Sequence, residues 1–172
     1  MMEDLNRFKE RWESLGMDCV LSEMVGERGI LKFHRKTESP NSISVMLSGK
    51  DLACLDIDNF GDSMKNFLAV VEREGMDLEE YLIEKTLHNG YHIFFRIPNS
   101  LKKKNLYANE HLGVKYDILH RGRVFTTPSS YKTRGYNFLK KDPFSIQSLD
   151  EIQDYKDPLI SIFINAQPTG DI

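Results

Sequence analysis

The chain has 172 residues and a mass of 20.0 kDa, and 23 lysines and arginines against 26 aspartates and glutamates give a net charge of −3. Its hydrophobic fraction of 40% and charged fraction of 28% are typical of a soluble globular protein and exclude disordered and collagen-like chains. No apolar run approaches the roughly 18 residues of a membrane span, and the charged N-terminus is not a signal peptide. The length favours a single domain over residues 1–172.

The first third of the chain is predicted to contain one helix and three strands. The helix follows from the spacing of its apolar residues, Leu5, Phe8, Trp12 and Leu15. Asp4 is predicted to cap this helix and Gly16 to end it. Short strands are predicted over 29–35 (GILKFHR) and 42–47 (SISVML), and 52–60 (LACLDIDNF) is predicted to be a buried strand that becomes polar at its end.

The middle of the chain is predicted to be a helix followed by a hairpin. The helix begins after Asp62 and ends near Gly75, and residues 77–86 are expected to form a short helical turn and then a strand. Asn89 and Gly90 separate TLH from YHIFF, which predicts a β-hairpin with a type I′ turn at these two residues.

The last third mixes strands with less regular segments. Residues 101–112 form a lysine-rich connection that is expected to be helical near its end. VKYDILH and RVFTTP predict two further strands, and Pro128 begins a loop. The apolar run LISIFI at 159–164 is compatible with a last strand or a helix. Strands and hairpins mixed with helices indicate an α+β domain, with a mainly antiparallel sheet flanked by helices.

Two aspartates lie at the end of the predicted buried strand and suggest a metal site. Asp56 and Asp58 lie at positions i and i+2, so their carboxylates project from the same face of the sheet. Two like charges at close range are unfavourable unless a cation neutralises them, and carboxylate oxygens suit Mg²⁺ or Mn²⁺. A lone Asp-x-Asp pair is a weak signal, because a solvated strand end is its commoner explanation.

Further polar residues follow on the neighbouring predicted strands. His92 lies two residues after the hairpin turn, where a purely structural histidine is the alternative to a functional one. Asp117 lies in VKYDIL, where it could simply cap a turn, and Arg121 and Arg123 follow with a spacing that places them on one face. Carboxylates that hold metal ions beside arginines that hold phosphates are typical of sites that bind a metal and a triphosphate.

The charge of the chain is unevenly distributed. Residues 96–141 contain 11 lysines and arginines but only Glu110 and Asp117 as acids, which gives this block a charge of +9. Six tyrosines and phenylalanines are interleaved with these cations. Such a block can be an ordinary solvated surface, but basic and aromatic residues together also suit a phosphate backbone with stackable bases. The positive charge of this block therefore favours a nucleic-acid partner, whereas the net charge of −3 by itself argues mildly against one.

The order of these segments resembles the archaeo-eukaryotic primase superfamily, in particular its primase-polymerase (prim-pol) branch. LACLDIDNF resembles the acidic first motif, TLHNGYHIFFRI the Gly-x-His second motif, and KYDILHRGRVFTTPSSYKTRGYNFL the third acid with its Arg-Gly and Pro-Ser segments. ISVMLSGKDLACLDID, with Gly49 at its turn, is similar to the approach to the first motif. The resemblance covers roughly residues 42–140 and implies an RRM-like or palm-like catalytic core.

The resemblance also implies roles for individual residues. Asp56, Asp58 and Asp117 correspond to catalytic metal ligands and His92 to a contact of the nucleotide's phosphates. Arg121 and Ser129 are further nucleotide-binding candidates. The basic block is expected to carry the nucleic acid through six residues: Lys102, Lys103, Lys104, Arg123, Lys132 and Arg134.

The implied function is a template-dependent nucleotidyltransferase of DNA replication, a DNA primase, a DNA polymerase or both. It would use two Mg²⁺ or Mn²⁺ ions, single-stranded DNA template and primer, and dNTP or NTP substrates. No zinc is expected, because Cys19 and Cys54 are too few and too far apart for a cysteine cluster.

The resemblance also bears on partners and location. A helicase partner would be a separate chain or a removed segment. An intracellular location is expected, in a cytoplasm or a host cell, since relatives are commonly encoded by viruses and plasmids. A catalytically silent module that binds single-stranded nucleic acid and a metal-dependent nuclease are the alternatives.

Overall fold

The computed structural model describes residues 2–25, 39–103 and 109–166. Within them the chain forms three α-helices: α1 Met2–Ser14, α2 Ser63–Arg73 and α3 Pro158–Ile164. Three short 3₁₀ helices span Leu78–Glu80, Asn99–Lys103 and Leu149–Glu151. No helix among the described residues is long and apolar enough to cross a membrane.

Eleven strands of the described residues form three sheets. The strands are β1 Cys19–Ser22, β2 Ser42–Met46, β3 Leu52–Ile57, β4 Leu82–Lys85, β5 Tyr91–Arg96, β6 Asn109–His111, β7 Val114–Leu119, β8 Arg123–Thr126, β9 Ser130–Tyr131, β10 Arg134–Gly135 and β11 Asn137–Phe138. The central sheet has the order β11-β4-β5-β3-β7-β6, a second sheet the order β1-β2-β8, and β9 pairs with β10. All of these strand pairs are antiparallel.

The central strand β3 divides the hydrophobic core into two layers. Ala53, Leu55 and Ile57 pack in a cluster with residues of α2 and α3 on one face of the sheet. Leu52 and Cys54 point the other way, into a cluster with α1 and the β1-β2-β8 sheet. Because side chains alternate along a strand, Asp56 shares this second face. The architecture confirms the predicted α+β fold with a mainly antiparallel sheet flanked by helices.

Helix α1 confirms the predicted amphipathic helix but not its cap. Leu5, Phe8 and Trp12 are its buried residues, and the indole ring of Trp12 lies 5.4 Å from the ring of Phe94. Burying side chains of this size contributes about 1.5–3 kcal/mol each. Asp4 is not the N-cap, because the helix already begins at Met2 and Asp4 lies in its first turn. There its carboxylate still interacts favourably with the positive end of the helix dipole.

The β4–β5 hairpin is present, but its turn differs from the predicted one. Thr86 to Gly90 form a five-residue loop, in which the Thr86 and Gly90 backbones are joined by a 3.0 Å hydrogen bond. Asn89 has a φ of +66°, whereas Gly90 lies outside the left-handed region. The type I′ prediction was therefore wrong, since that turn needs positive φ at both central residues. Gly90 is required for another reason: a Cβ there would collide with the carbonyl oxygen of Ile57.

The remaining predictions have mixed outcomes. Helix α2, the helical turn before β4 and the strands β7 and β8 are confirmed, and LISIFI forms a helix, α3. The helix expected near the end of 101–112 was wrong, because Asn109–His111 form the edge strand β6, paired with β7. The strand predicted over 29–35 lies outside the described residues.

Candidate active site

Strand pairing brings three aspartates together at one end of the central sheet. Asp56 on β3 lies directly opposite Asp117 on β7. Asp58 follows β3 immediately, and its N–H donates a 2.9 Å hydrogen bond to the carbonyl oxygen of Lys115 on β7. One carboxylate oxygen from each aspartate lies within 4.8 Å of the other two, and all three residues are half-buried. The three predicted metal ligands thus form one acidic cluster.

The electrostatics of this cluster favour a bound cation. Burial, together with the charges of Asp56 and Asp117, raises the pKa of Asp58 to about 6. Burial also raises the pKa of Asp56, although the neighbouring His92 opposes the rise. Three oxygen ligands at this spacing fit a hard divalent ion such as Mg²⁺ or Mn²⁺, which would relieve the repulsion between the carboxylates.

His92 lies beside the cluster on the neighbouring strand. It is opposite Asp56 in the β3–β5 register, and its Nε2 is 3.6 Å from Oδ1 of Asp56. Its Nδ1 is 3.0 Å from Oε2 of Glu84. Burial disfavours the charged ring, but the Glu84 hydrogen bond and the charge of Asp56 outweigh burial and raise the pKa of His92. His92 is therefore a buried histidine with a raised pKa at the edge of an acidic cluster.

Glu84 and Tyr136 also contact His92, and the sequence analysis missed both. Glu84 on β4 is opposite His92 and fully buried. The ring of Tyr136 stacks on the imidazole, with centroids 5.7 Å apart and an angle of 27° between the planes. A prediction with the correct hairpin register would have placed Glu84 opposite His92. A two-residue turn at Asn89-Gly90 instead places Leu87 opposite His92, so the wrong turn type concealed it.

Two neighbouring cavities open beside these residues. One, of about 170 Å³, is lined by Asp56, Asp58, His92 and Tyr136 together with the β4–β5 loop. The other, of about 270 Å³, is lined by six residues: Leu87, His88, Tyr131, Lys132, Thr133 and Arg134. Leu87 and His88 line both cavities, and Nη1 of Arg134 is 3.0 Å from Nδ1 of His88. Lys132 and Arg134, predicted to bind nucleic acid, thus lie next to the acidic site.

Arg121 and Lys102 lie elsewhere. Leu119 pairs with Cys54, so β7 runs from Asp117 toward the start of β3, away from Asp58. Arg121 follows β7 and lines a separate cavity with Lys102, whose carbonyl oxygen accepts a 3.4 Å hydrogen bond from Nη2 of Arg121. Burial lowers the pKa of Lys102 to about 8, and its Nζ donates to the carbonyl oxygen of Leu47. The structure does not bring these two residues to the acidic cluster.

Ser129 and Arg123 are also apart from the cluster's cavity. The Ser129 hydroxyl is fully buried, accepts a hydrogen bond from the Ile43 N–H and donates one to the Ile43 carbonyl oxygen. These two hydrogen bonds hold the loop after β8 against β2. Arg123 opens β8, and burial lowers its pKa. Lys104 and the side chain of Lys103 lie outside the described residues, so the predictions for them stay predictions.

Comparison with known families agrees with this geometry. The sequence profile of the Prim-Pol family, described as "Bifunctional DNA primase/polymerase, N-terminal", matches residues 4–154. Among curated proteins, none has significant sequence similarity to the chain. The matched region contains the acidic cluster, His92 and Glu84, and it covers most of the 172 residues. The chain therefore belongs to the Prim-Pol family of bifunctional DNA primase/polymerase domains.

Proposed function

We propose that this chain is a template-dependent nucleotidyltransferase that adds nucleotides by two-metal-ion catalysis in DNA replication. Family membership supports DNA primase/polymerase activity in general. The observation that carries the finer proposal is the convergence of three carboxylate oxygens within 4.8 Å, beside the buried His92. A site that gathers negative charge and places a histidine ring with a raised pKa at its edge suits metal ions and a triphosphate together.

The three aspartates would hold two Mg²⁺ or Mn²⁺ ions. When bound, such ions activate a 3′-hydroxyl for attack on the α-phosphate and neutralise the leaving pyrophosphate. Asp56 and Asp117 occupy paired positions on adjacent strands, so the sheet itself fixes the spacing of their carboxylates. Asp58 is held by its backbone bond to β7. A preorganised cluster of this kind needs little rearrangement as charge develops.

His92 and the neighbouring basic residues would hold phosphates. Nε2 of His92 faces the cluster, where it can donate to a triphosphate oxygen. Arg134, with Lys132, borders the adjacent cavity and would contact phosphates of the nucleic acid or nucleotide. Their position favours them over Arg121 and Ser129, which do not line either cavity beside the cluster. The expected substrates are single-stranded DNA template, primer, and dNTPs or NTPs, and a helicase partner would be a separate chain or a removed segment.

One assay tests this function and its alternatives. The protein is incubated with single-stranded template and labelled nucleotides in Mg²⁺ or Mn²⁺, with and without primer. Extension only with primer would indicate a polymerase, and products without primer would indicate a primase. Shortened template would instead indicate a nuclease, and binding without any product would indicate a catalytically silent module. Either of these last two results would overturn the proposal.

A further inference from the structure

Glu84 is a buried carboxylate outside the acidic cluster. Its Oε1 accepts three hydrogen bonds, from the Thr126 hydroxyl at 2.9 Å, the Thr127 N–H at 2.8 Å and the Thr127 hydroxyl at 2.7 Å. Its Oε2 lies 3.0 Å from Nδ1 of His92. A carboxylate without solvent contact is costly unless such bonds compensate it. Every one of its partners is in place, so Glu84 is held in a single orientation.

The contacts of Glu84 require a hydrogen on Nδ1 of His92. A carboxylate oxygen only accepts, so Nδ1 must donate to it. Nε2 then points to Asp56 and the cavity, and the Tyr136 ring restrains the plane of the imidazole. Rotating the ring by half a turn would break the Glu84 bond, because it puts Cδ2 in the place of Nδ1 and Cε1 in the place of Nε2. The network therefore selects one ring orientation out of two.

We propose that Glu84 is a positioning residue for His92. It holds a hydrogen on Nδ1, so that Nε2 faces the acidic cluster and can donate its own hydrogen to a bound phosphate. Thr126 and Thr127 anchor Glu84 to the end of β8, so the β1-β2-β8 sheet holds His92 through Glu84. Carboxylates behind functional histidines have this effect in metal sites generally. The phosphate part of this inference rests on the proposed function, whereas the hydrogen-bonding part does not.

The replacement Glu84→Gln gives a clear test, because it changes one atom type and little volume. The three donors from Thr126 and Thr127 still require an oxygen, so the amide group must turn its NH₂ toward His92. An NH₂ donates, so Nδ1 must then become an acceptor, and the ring loses the hydrogen on Nδ1 while it keeps the one on Nε2. The expected result is a protonated Nδ1 in the wild-type protein and an unprotonated Nδ1 in the variant.

Long-range ¹H–¹⁵N NMR spectra of ¹⁵N-histidine-labelled protein measure this directly, with the His92 signals identified through His92→Gln. A matched control is Thr126→Val, which removes one donor to Oε1 but leaves the bond from His92 to Oε2, so Nδ1 should remain protonated. The proposal is overturned if Nδ1 is unprotonated in the wild type, if it stays protonated in a folded Glu84→Gln, or if Thr126→Val has the same effect. Should Glu84→Gln fail to fold, the wild-type spectrum still decides the question.

Nucleotide kinetics provide the second readout. Glu84→Gln should raise the KM for the nucleotide about tenfold, because a charge-assisted bond to the phosphate becomes a neutral one, and change kcat less. An unchanged KM in a folded variant with the altered Nδ1 signal would show that the ring orientation does not serve phosphate binding. If the wild-type protein incorporated no nucleotide, the proposed function would fail while the NMR result would still test the role of Glu84.

Discussion

At the residue scale, the acidic cluster opposes stability. Asp56, Asp58 and Asp117 bring three carboxylates within 4.8 Å, and the pKa values of the first two are raised mainly by burial. Folding thus brings together groups that repel one another when ionised. Residues selected for chemistry commonly lower the stability of a fold in this way, and removing one of them should stabilise the metal-free protein.

Asp117→Asn should separate stability from activity. Removing one charge relieves the repulsion, so the free energy of unfolding of the metal-free protein should rise by about 0.5 kcal/mol, a small value because water screens the half-buried site. Nucleotide incorporation should be lost, while binding of single-stranded DNA stays nearly unchanged. Urea unfolding and primer extension measure the two effects. The exposed Glu72→Gln on α2 is the control for a lost charge and should keep full activity.

The pH dependence of metal binding follows from Asp58. Its pKa is raised to about 6, so at lower pH an incoming ion must displace a proton. Affinity for Mn²⁺ should therefore rise as the pH increases from 5 to 7, by up to about tenfold per pH unit below 6, and then level off. Calorimetric titration measures this change, and Asp58→Asn should flatten it. An affinity of the wild type that is independent of pH over this range would contradict the prediction.

The same group affects stability in the absence of metal. Its pKa is about 3.8 in an unfolded chain and about 6 in the folded one, so the folded state binds the proton more tightly. The contribution of Asp58 should make the metal-free protein less stable as the pH rises from about 4 to 6. Thermal unfolding of the wild type and Asp58→Asn across this range measures the difference, and added Mn²⁺ should stabilise the wild type more than the variant, which lacks one metal ligand. An Asp58→Asn protein that gained as much stability from Mn²⁺ as the wild type would contradict this account.

At the element scale, the β4–β5 loop places His92 and Glu84. Its five residues set Glu84 opposite His92, and Gly90 passes against the carbonyl oxygen of Ile57, the residue between Asp56 and Asp58. The loop and the end of β3 are therefore packed without space for a side chain. Asn89 supplies the single left-handed residue that the loop contains.

Gly90→Ala should disrupt the site through this contact. The added methyl group overlaps the Ile57 carbonyl oxygen and must displace the loop or the end of β3, at a cost of about 1–3 kcal/mol in the free energy of unfolding. Metal affinity should fall as well, because Asp58 directly follows Ile57 and would move with it. Gly135→Ala is the matched control, because its Cβ would meet the nearest atom at 3.4 Å, close to ordinary contact. Equal losses in both variants, measured by urea unfolding and Mn²⁺ titration, would argue against this mechanism.

At the scale of the whole molecule, the basic block is not a single surface. Residues 96–141 have 11 cations against two acids, a charge of +9. In the fold, Lys132 and Arg134 lie beside the cavity next to the acidic cluster, whereas Lys102 and Arg121 line another cavity near the start of β3. Continuity in sequence thus does not give continuity in space. Of these two pairs, only Lys132 and Arg134 lie where a nucleic-acid strand could reach the acidic cluster.

The double variant Lys132→Ala/Arg134→Ala should weaken binding of single-stranded DNA. Two lost phosphate contacts should lower the slope of log K against log salt by about 1.4 for a single strand. Fluorescence anisotropy at several salt concentrations measures the slope. The control Lys140→Ala/Lys141→Ala removes the same charge from residues that do not line either cavity beside the cluster. If both variants reduced the slope equally, the effect would be one of general charge.

The sequence by itself predicted the family and most of the elements. The spacing of Asp56 and Asp58, the position of Asp117 and the helical period of α1 are local patterns, and local patterns can be recognised in a chain before it folds. The same holds for the ordered motifs that indicated the family. The proximity of Lys132 and Arg134 to the site, and the distance of Arg121 from it, could not be recognised in this way.

Only the tertiary structure decided how these residues meet. The role of Glu84 depends on a hairpin register, and one loop conformation moves every cross-strand partner. Its contacts with Thr126 and Thr127 join two different sheets across more than 40 positions of sequence. Such contacts arise from packing between distant segments, which the residue types alone do not specify. The acids were therefore predictable one by one, and the network that orients His92 was not.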